Sequence, residues 1–350
     1  MADIDDIKFM RRCFDLATRA EGLTYPNPVV GAVIVHDGRI IGEGYHLKAG
    51  EPHAEVNAIN SVSDRSKFRE STLYVNLEPC SHFGKTPPCA DRIIAEGIPR
   101  VVVGATDTSS KVSGKGIMKL RDANIEVVTG ILNDECRWIN RRFFTFHEKN
   151  RPYITLKWAQ SADGYLDIIR SDIHAKGPNW ITGKPERVLV HKWRAAEQSI
   201  LVGAETVRAD NPRLNVREWK GPDPLKLILS RSGLFTGNPR PEIFSSNTVV
   251  FSESPGDIFG KAVVRLRKDV PSSVQIAEYL HSVGIQSLFI EGGAEVLNHF
   301  ISTGLWDEAR VFTGKYGFND GVRAPEVKGL LFSATDYSES HLEIYLNVST

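Results

Sequence analysis

No run of about 18 consecutive apolar residues occurs in the chain, the length a membrane-crossing helix needs, so no membrane span is expected. The opening MADIDDIKFM is acidic and lacks an apolar core beside basic residues, so it does not read as a secretory leader. An excess of one charge is also missing. The 43 Lys and Arg balance 43 Asp and Glu, which argues against a general grip on nucleic-acid phosphates, since that needs a basic surface. One phosphate on a small substrate needs only one or two cations and stays open. Cysteine is scarce: four in 350 residues do not make a disulfide scaffold, and in a cytoplasmic protein they read as metal ligands, nucleophiles or core fillers. Cys13 and Cys136 fall in helix-like segments and read as core. Internal repeats, low-complexity tracts and a Gly-x-Gly-x-x-Gly dinucleotide fingerprint are absent as well.

What remains is ordinary globular composition, 41% hydrophobic and 25% charged, in a chain long enough for two cores. Apolar residues at helical spacing over 7–20 predict a helix. Strands are expected at 29–36 and 39–45 around an Asp37-Gly38 turn, with a loop at 25–28 before them. A helix over 51–62 would carry Pro52 in its first turn. Strands at 72–77, 100–104 and 125–128 alternate with helices after 86 and at 116–123, which implies an α/β domain with a mostly parallel sheet. The basic and aromatic passage 141–151 reads as the boundary, giving domains 1–147 and 148–350. A second α/β series follows, with strands at 152–159, 199–203, 225–229, 248–251 and 287–290, and helices at 185–195 and 294–303.

The sharpest signal is His53-Ala54-Glu55, then Pro79-Cys80, then Cys89. One imidazole and two thiolates make a three-ligand set for Zn²⁺ whose fourth tetrahedral position stays open for water, as a catalytic zinc requires. Glu55 lies two residues after His53, a spacing that does not share a helix face. It reads as a proton carrier for that water rather than a ligand. His-x-Glu followed by Pro-Cys-x-x-Cys is the zinc deaminase pattern. Here the two-residue spacer is replaced by Ser81-His82-Phe83-Gly84-Lys85-Thr86-Pro87-Pro88. Two plainer readings compete: a structural zinc knuckle closed by His82 as fourth ligand, and a pair of buried thiols with no metal.

Pro26-Asn27-Pro28, Gly42-Glu43-Gly44-Tyr45-His46, the stretch from Ala49 to Glu55, and the stretch from Leu77 to Cys89 together resemble the bifunctional riboflavin-biosynthesis deaminase/reductase family, in which the long spacer is the normal form. The resemblance implies a cytidine-deaminase-like N-terminal domain with His53, Cys80 and Cys89 on zinc and Glu55 as the catalytic proton shuttle. It also implies that Asn27, His46 and Lys85 touch a pyrimidine ribotide phosphate. An amide suits a ring edge, and a lysine suits a phosphate.

In the second half, 288–290 run into Glu291-Gly292-Gly293 and then a helix. Glycines admit a phosphate to the backbone and the helix start favours an anion, although a tight turn without a ligand would look the same. The resemblance continues there through Leu156-Lys157, Ser161-Ala162-Asp163-Gly164, Trp180-Ile181-Thr182, Arg194, Gly203-Ala204-Glu205-Thr206-Val207 and Ala209-Asp210-Asn211-Pro212-Arg213-Leu214. It implies a dihydrofolate-reductase-like domain using NADPH. Gln160, Trp180, Thr206, Asp210, Gly292 and Gly293 would hold the cofactor, and Arg194, Leu214, Arg217 and Glu291 the substrate. The chain departs from the family at 165–179, which is longer and poorer in Ser and Thr, at Pro178, and at Ser230-Arg231, where an Asp-Ser pair is common. Competing readings are a tRNA or nucleotide deaminase with an unrelated second domain, and a paralogue with a decayed site. The family also implies a homo-oligomer.

Overall fold

The computed structural model describes all residues except 1–3, 84–86, 109–113, 170–176, 178, 233–234, 236–239, 246, 255–257 and 349–350. The chain divides into two compact units, Met1–Asn150 and Arg151–Thr350, against the 147/148 boundary read from the sequence.

In the first unit the elements are α1 (Ile4–Ala17), β1 (Gly31–His36), β2 (Arg39–Tyr45), α2 (Ala54–Ser61), β3 (Thr72–Leu77), α3 (Cys89–Glu96), β4 (Arg100–Ala105), α4 (Lys115–Asp122), β5 (Glu126–Thr129), α5 (Asn133–Ile139) and α6 (Arg141–Lys149). The sheet order is β2-β1-β3-β4-β5. It is mixed rather than mostly parallel: β1 runs antiparallel to β2 and β3, while β3, β4 and β5 are parallel. β1, β3 and β4 are buried on both faces, which is why they read as nearly unbroken hydrophobic runs. Ala32, Ile34, Leu73, Val75, Val101 and Val103 meet Ala54, Ala58 and Ile59 of α2 on one face. Val33, Val35, Tyr74 and Val102 meet α1 and Phe143 and Phe144 on the other. Those two phenylalanines make 141–149 the last helix of this unit, not the linker its composition suggested. Cys13 and Cys136 are fully buried in the same core.

The second unit contains β6 (Tyr153–Gln160), β7 (Tyr165–Asp167), α7 (Lys184–Ala196), β8 (Ser199–Gly203), α8 (Ala204–Asp210), β9 (Leu225–Leu229), β10 (Thr248–Ser252), β11 (Ala262–Arg265), α9 (Ser272–Ser282), β12 (Ser287–Ile290), α10 (Ala294–Ser302), β13 (Glu308–Gly314), β14 (Val322–Arg323), β15 (Leu330–Asp336) and β16 (Ser340–Leu346). Its large sheet has the order β11-β10-β9-β8-β12-β6-β13-β16-β15. The run from β11 to β13 is parallel, and β16 and β15 add antiparallel partners. Alternate residues again feed two cores: Leu156, Leu201, Leu227 and Leu288 face one side, Ile200, Val202, Ile228 and Phe289 the other. Among the described residues no helix is long and apolar enough to cross a membrane.

One close approach sets the geometry of the first unit's site. α2 lies directly on β2 because Gly44 has no side chain: a Cβ there would stand 2.4 Å from the Ala58 nitrogen and 2.6 Å from the Asn57 Cβ. Gly44→Ala is therefore expected to cost about 1–3 kcal/mol through overpacking, read as a lower midpoint in chemical denaturation. Zinc content should fall with it, because α2 follows directly on His53.

Candidate active sites

His53 occupies the N-cap position of α2 with an extended backbone (φ −72, ψ 168), so the helix starts later than the sequence suggested and the imidazole points off its end. Cys89 is the first residue of α3, and Cys80 follows β3 by three residues. The ligand atoms of His53, Cys80 and Cys89 lie within 4.8 Å of one another. His53 Nδ1 is 3.6 Å from Cys80 Sγ and 3.4 Å from Cys89 Sγ. A tetrahedral zinc with ordinary Zn–S and Zn–N bonds has an N–S edge of roughly 3.6 Å, so the three atoms fit such an ion. Two helix starts face the cluster, and their partial positive charge suits thiolates. The Cys89 backbone N–H donates to Cys80 Sγ at 3.3 Å. The Cys80 thiol is pushed down by its hydrogen bond with Cys89, and Cys89 is pushed up by the same bond and by burial. His82 is exposed and outside the cluster, which removes the closed four-ligand knuckle.

Glu55 is 3% exposed in the first turn of α2. Burial, with the charge of Cys80, pushes its carboxyl up to about 7. His46 is buried too, and desolvation lowers its pKa below the usual imidazole value. Its Nδ1 lies 3.2 Å from the Pro52 carbonyl, which only an N–H can satisfy, so Nε2 is the acceptor for the Asn27 amide at 3.0 Å. That contact fixes which way round the Asn27 amide sits and leaves Oδ1 as its recognition group. The loop carrying Asn27 is held by two buried amides: Asn76 and Asn140 both donate to the Val29 carbonyl, and Asn140 also accepts from the Val29 N–H. Lys85 lies outside the described residues.

Sequence reasoning missed Glu78. Its buried carboxylate accepts backbone N–H bonds from Asp107, Gly114, Gly116 and Ile117, at 2.9 to 3.3 Å. α4 thereby presses on the residue before Cys80: a Cβ on Gly116 would stand 2.0 Å from the Pro79 carbonyl oxygen. Only its place in the Glu-Pro-Cys string hinted at this.

In the second unit a cavity of about 1310 Å³ runs along the sheet. It is lined at the carboxyl ends of six adjacent parallel strands, by Lys157 of β6 and by residues ending or following β12, β8, β9, β10 and β11. This is where open α/β sheets take ligands. Glu291, Gly292, Gly293, Thr206 and Asp210 line it. The Gly293 N–H donates to Thr206 Oγ1 at 3.0 Å. Gly292 is required by crowding, since its Cβ would stand 2.7 Å from the Gly203 nitrogen. Arg194 grips Glu291 with two parallel bonds of 2.7 Å. Burial opposes ionisation of Glu291, but Arg194 holds its pKa below the usual value.

Other expected residues sit elsewhere. Gln160 accepts from Trp158 Nε1 at 2.9 Å and is not among the cavity-lining residues. Trp180 is 60% exposed with Arg187 stacked on it. The Leu214 side chain is buried in the core with a left-handed backbone (φ 50), so only its main chain is available to a ligand. Arg217 is exposed, and its backbone N–H donates to Nδ1 of His191, a buried imidazole kept neutral by desolvation, with a pKa of about 4. Lys157 lines the cavity too, although the sequence suggested no role for it. Burial lowers its pKa, against the pull of nearby Glu291.

The geometry can be set beside known proteins. Residues 3–105 match the cytidine and deoxycytidylate deaminase zinc-binding region, and residues 152–315 match the RibD C-terminal domain. The chain is similar to the riboflavin biosynthesis protein RibD of Aquifex aeolicus, 39% identical over 331 residues covering 91% of this chain and 89% of that protein. The Escherichia coli RibD is 35% identical, over 88% of this chain and 87% of its own length. The crystal structure of a diaminohydroxyphosphoribosylaminopyrimidine deaminase/5-amino-6-(5-phosphoribosylamino)uracil reductase from Thermotoga maritima superposes with a TM-score of 0.88 at 35% identity, covering 98% of this chain and 99% of that one.

Four backbone N–H donors converge on Glu78, so Glu78→Ala should destabilise the first unit by about 3 kcal/mol through unpaired buried N–H groups. Denaturation followed together with zinc content checks this, and the metal should be lost at lower denaturant than in the parent protein.

Proposed function

The chain belongs to the RibD family of bifunctional riboflavin-biosynthesis enzymes, and from that premise we propose which of its residues carry each of the two steps. The N-terminal half removes the ring amino group of 2,5-diamino-6-ribosylamino-4(3H)-pyrimidinone 5′-phosphate by hydrolysis, and the C-terminal half then reduces the ribosyl group to give 5-amino-6-ribitylamino-uracil 5′-phosphate. Zn²⁺ and NADPH are the cofactors.

In the deaminase half we assign His53, Cys80 and Cys89 as the zinc ligands. The observation that carries this is the match of their spacing to the edges of a zinc tetrahedron. A bound zinc supplies an acidified water as the nucleophile deamination needs. Glu55 would carry one proton of that water to the ring nitrogen as the C–O bond forms and the second to the amino group as ammonia leaves, and a carboxyl near neutrality suits both the uptake and the release. Asn27, turned by His46, offers Oδ1 to a ring N–H. Neutral His46 adds no cation beside the metal. Lys85 is assigned to the substrate phosphate on the resemblance.

In the reductase half Gly292, Gly293 and the start of α10 cradle the pyrophosphate, Thr206 fixes their turn, and Asp210 borders the cofactor. Gln160 and Trp180 are assigned to the cofactor on the resemblance alone. NADPH supplies the hydride. Glu291, locked by Arg194, holds the sugar hydroxyls, Arg217 and the Leu214 main chain hold the phosphate end, and Lys157 is the proton donor beside the sugar. Its desolvated ammonium gives up a proton more readily than a solvated one.

We also propose a cytoplasmic homo-oligomer. Edge strand β15 exposes Leu330, Leu331 and Phe332 together, and an apolar open edge is a pairing surface. Light scattering should give twice the chain mass or a larger multiple, and Leu331→Lys should lower it.

Both steps are tested at once by making the pyrimidinone phosphate in situ from GTP with a cyclohydrolase, then following ammonia release and NADPH consumption together. Glu55→Gln should cut ammonia release by about a hundredfold or more and keep its zinc. NADPH loss should vanish with it. A Glu55→Gln protein that still deaminates at the normal rate would remove the proton-carrier role.

A further inference from the structure

We propose that Ser230 and Arg231, with Arg267 and Lys268, form the end of the reductase cavity that selects NADPH over NADH by binding the phosphate on the adenosine ribose. The inference rests on the cofactor reading above and deepens it. NADPH differs from NADH only in that phosphate, so the discrimination lies wherever the phosphate rests.

The strand order says where to look. Lys157 of β6 and the Arg194–Glu291 pair beyond β12 mark the reaction end, and the Gly292–Gly293 turn beside them takes the pyrophosphate. The adenosine half must then continue away from β6, across β8 towards β9, β10 and β11. Adjacent strands lie about 4.8 Å apart, so the six strand ends from β6 to β11 span about 24 Å, enough for an extended dinucleotide.

Past β8 the cavity carries a mark of a missing partner. Ser230 directly follows β9, is 2% exposed, and lines the cavity, yet its Oγ has no hydrogen-bond partner among the described residues. A buried hydroxyl left unpaired is costly, and a ligand oxygen would satisfy it. The next residue, Arg231, reaches Glu295 in the first turn of α10, and both line the cavity. Both side chains of that pair are largely exposed, at 72% and 70%. Exposed pairs of this kind are weak, and a phosphate dianion with two oxygens for the guanidinium fork displaces the carboxylate.

Arg267 and Lys268 follow β11. Their loop is braced by one side chain of α9: Gln275 accepts from the Arg267 N–H at 2.9 Å and donates to the carbonyls of Arg267 and Val270 at 2.9 and 2.8 Å. Glu253 and Asp269 line the same end, so bulk charge does not decide the matter. A carboxylate alone would favour the bare ribose hydroxyl of NADH. The guanidinium beside an unpaired buried hydroxyl favours the phosphate.

The test titrates NADPH and NADH into the full-length zinc-loaded protein and follows quenching of its tryptophan fluorescence, for which cavity-lining Trp158 is a reporter. Arg231→Ala should weaken NADPH by about tenfold or more, the loss of one charge-assisted contact, and leave NADH within about twofold as an internal control for folding. Arg231→Lys should recover part of the loss, and Arg267→Ala/Lys268→Ala should add to it. Adenosine 2′,5′-bisphosphate should displace NADPH from the parent protein more strongly than AMP does, and this advantage should shrink in Arg231→Ala. Equal weakening of both nucleotides, or no change in either, overturns the proposal. A parent protein that binds neither nucleotide overturns the cofactor reading itself, and that failure appears before any variant is made.

Discussion

Two thiols and an imidazole within 4.8 Å of one another cannot all take the forms that suit them in isolation. Without a cation among them, Cys80 gains thiolate character at the expense of Cys89, which keeps the proton. A divalent ion resolves the conflict by letting both sulfurs ionise, and the starts of α2 and α3 contribute further positive potential at the same point. Much of the first unit serves this convergence. β3 delivers Cys80, Glu78 ties the turn after β3 to α4, Gly44 lets α2 lie on β2, and the Asn76 and Asn140 clamps hold the Asn27 loop beside His46. Glu55 belongs to the same arrangement. The helix that follows His53 carries the carboxylate into a buried position where its proton affinity is raised, so the residue that moves protons is set by the element adjoining a ligand.

The second unit handles charge differently. Its cations are spread along a row of parallel strand ends rather than gathered at a point. Arg194 is committed to Glu291, and the pair is buried together, so its worth lies in fixing a carboxylate rather than in net stability. Lys157 stays close to that carboxylate under a desolvation penalty that makes its proton available. Further along, Arg231 holds only an exposed partner and Arg267 and Lys268 stand on a braced loop. The gradient from committed to exchangeable cations follows the direction in which a dinucleotide would lie, from a reaction end that must be rigid to a recognition end that must exchange protein contacts for phosphate.

How much of this the chain displayed before folding depends on the kind of signal. Strands apolar on both faces were legible at nearly their true limits, and His53, Cys80 and Cys89 were legible because metal chemistry restricts residue type. The helix at 141–149 was not, because its arginines and aromatics only make sense once Phe143 and Phe144 meet the face of β1, β3 and β4. The start of α2 was placed too early because Pro52 is compatible with a first turn, whereas here it precedes an N-cap histidine that must leave the helix axis. The antiparallel pairing of β1 with β3 leaves no local trace, since register and direction are settled between distant segments.

Glu78 and Lys157 were hidden for a related reason. A glutamate before Pro-Cys and a lysine inside a strand have ordinary surface explanations, and only burial contradicts them. Glu78 becomes meaningful when four N–H groups are seen to converge on it, and Lys157 when β6 is seen to lie beside β12, which brings Glu291 within its field. The Leu214 side chain shows the converse. The resemblance names the position, but folding turns its side chain into the core and leaves only the left-handed backbone towards any ligand. A residue type is therefore informative in sequence where the chemistry belongs to the side chain, and silent where the fold has enlisted the main chain or a buried charge.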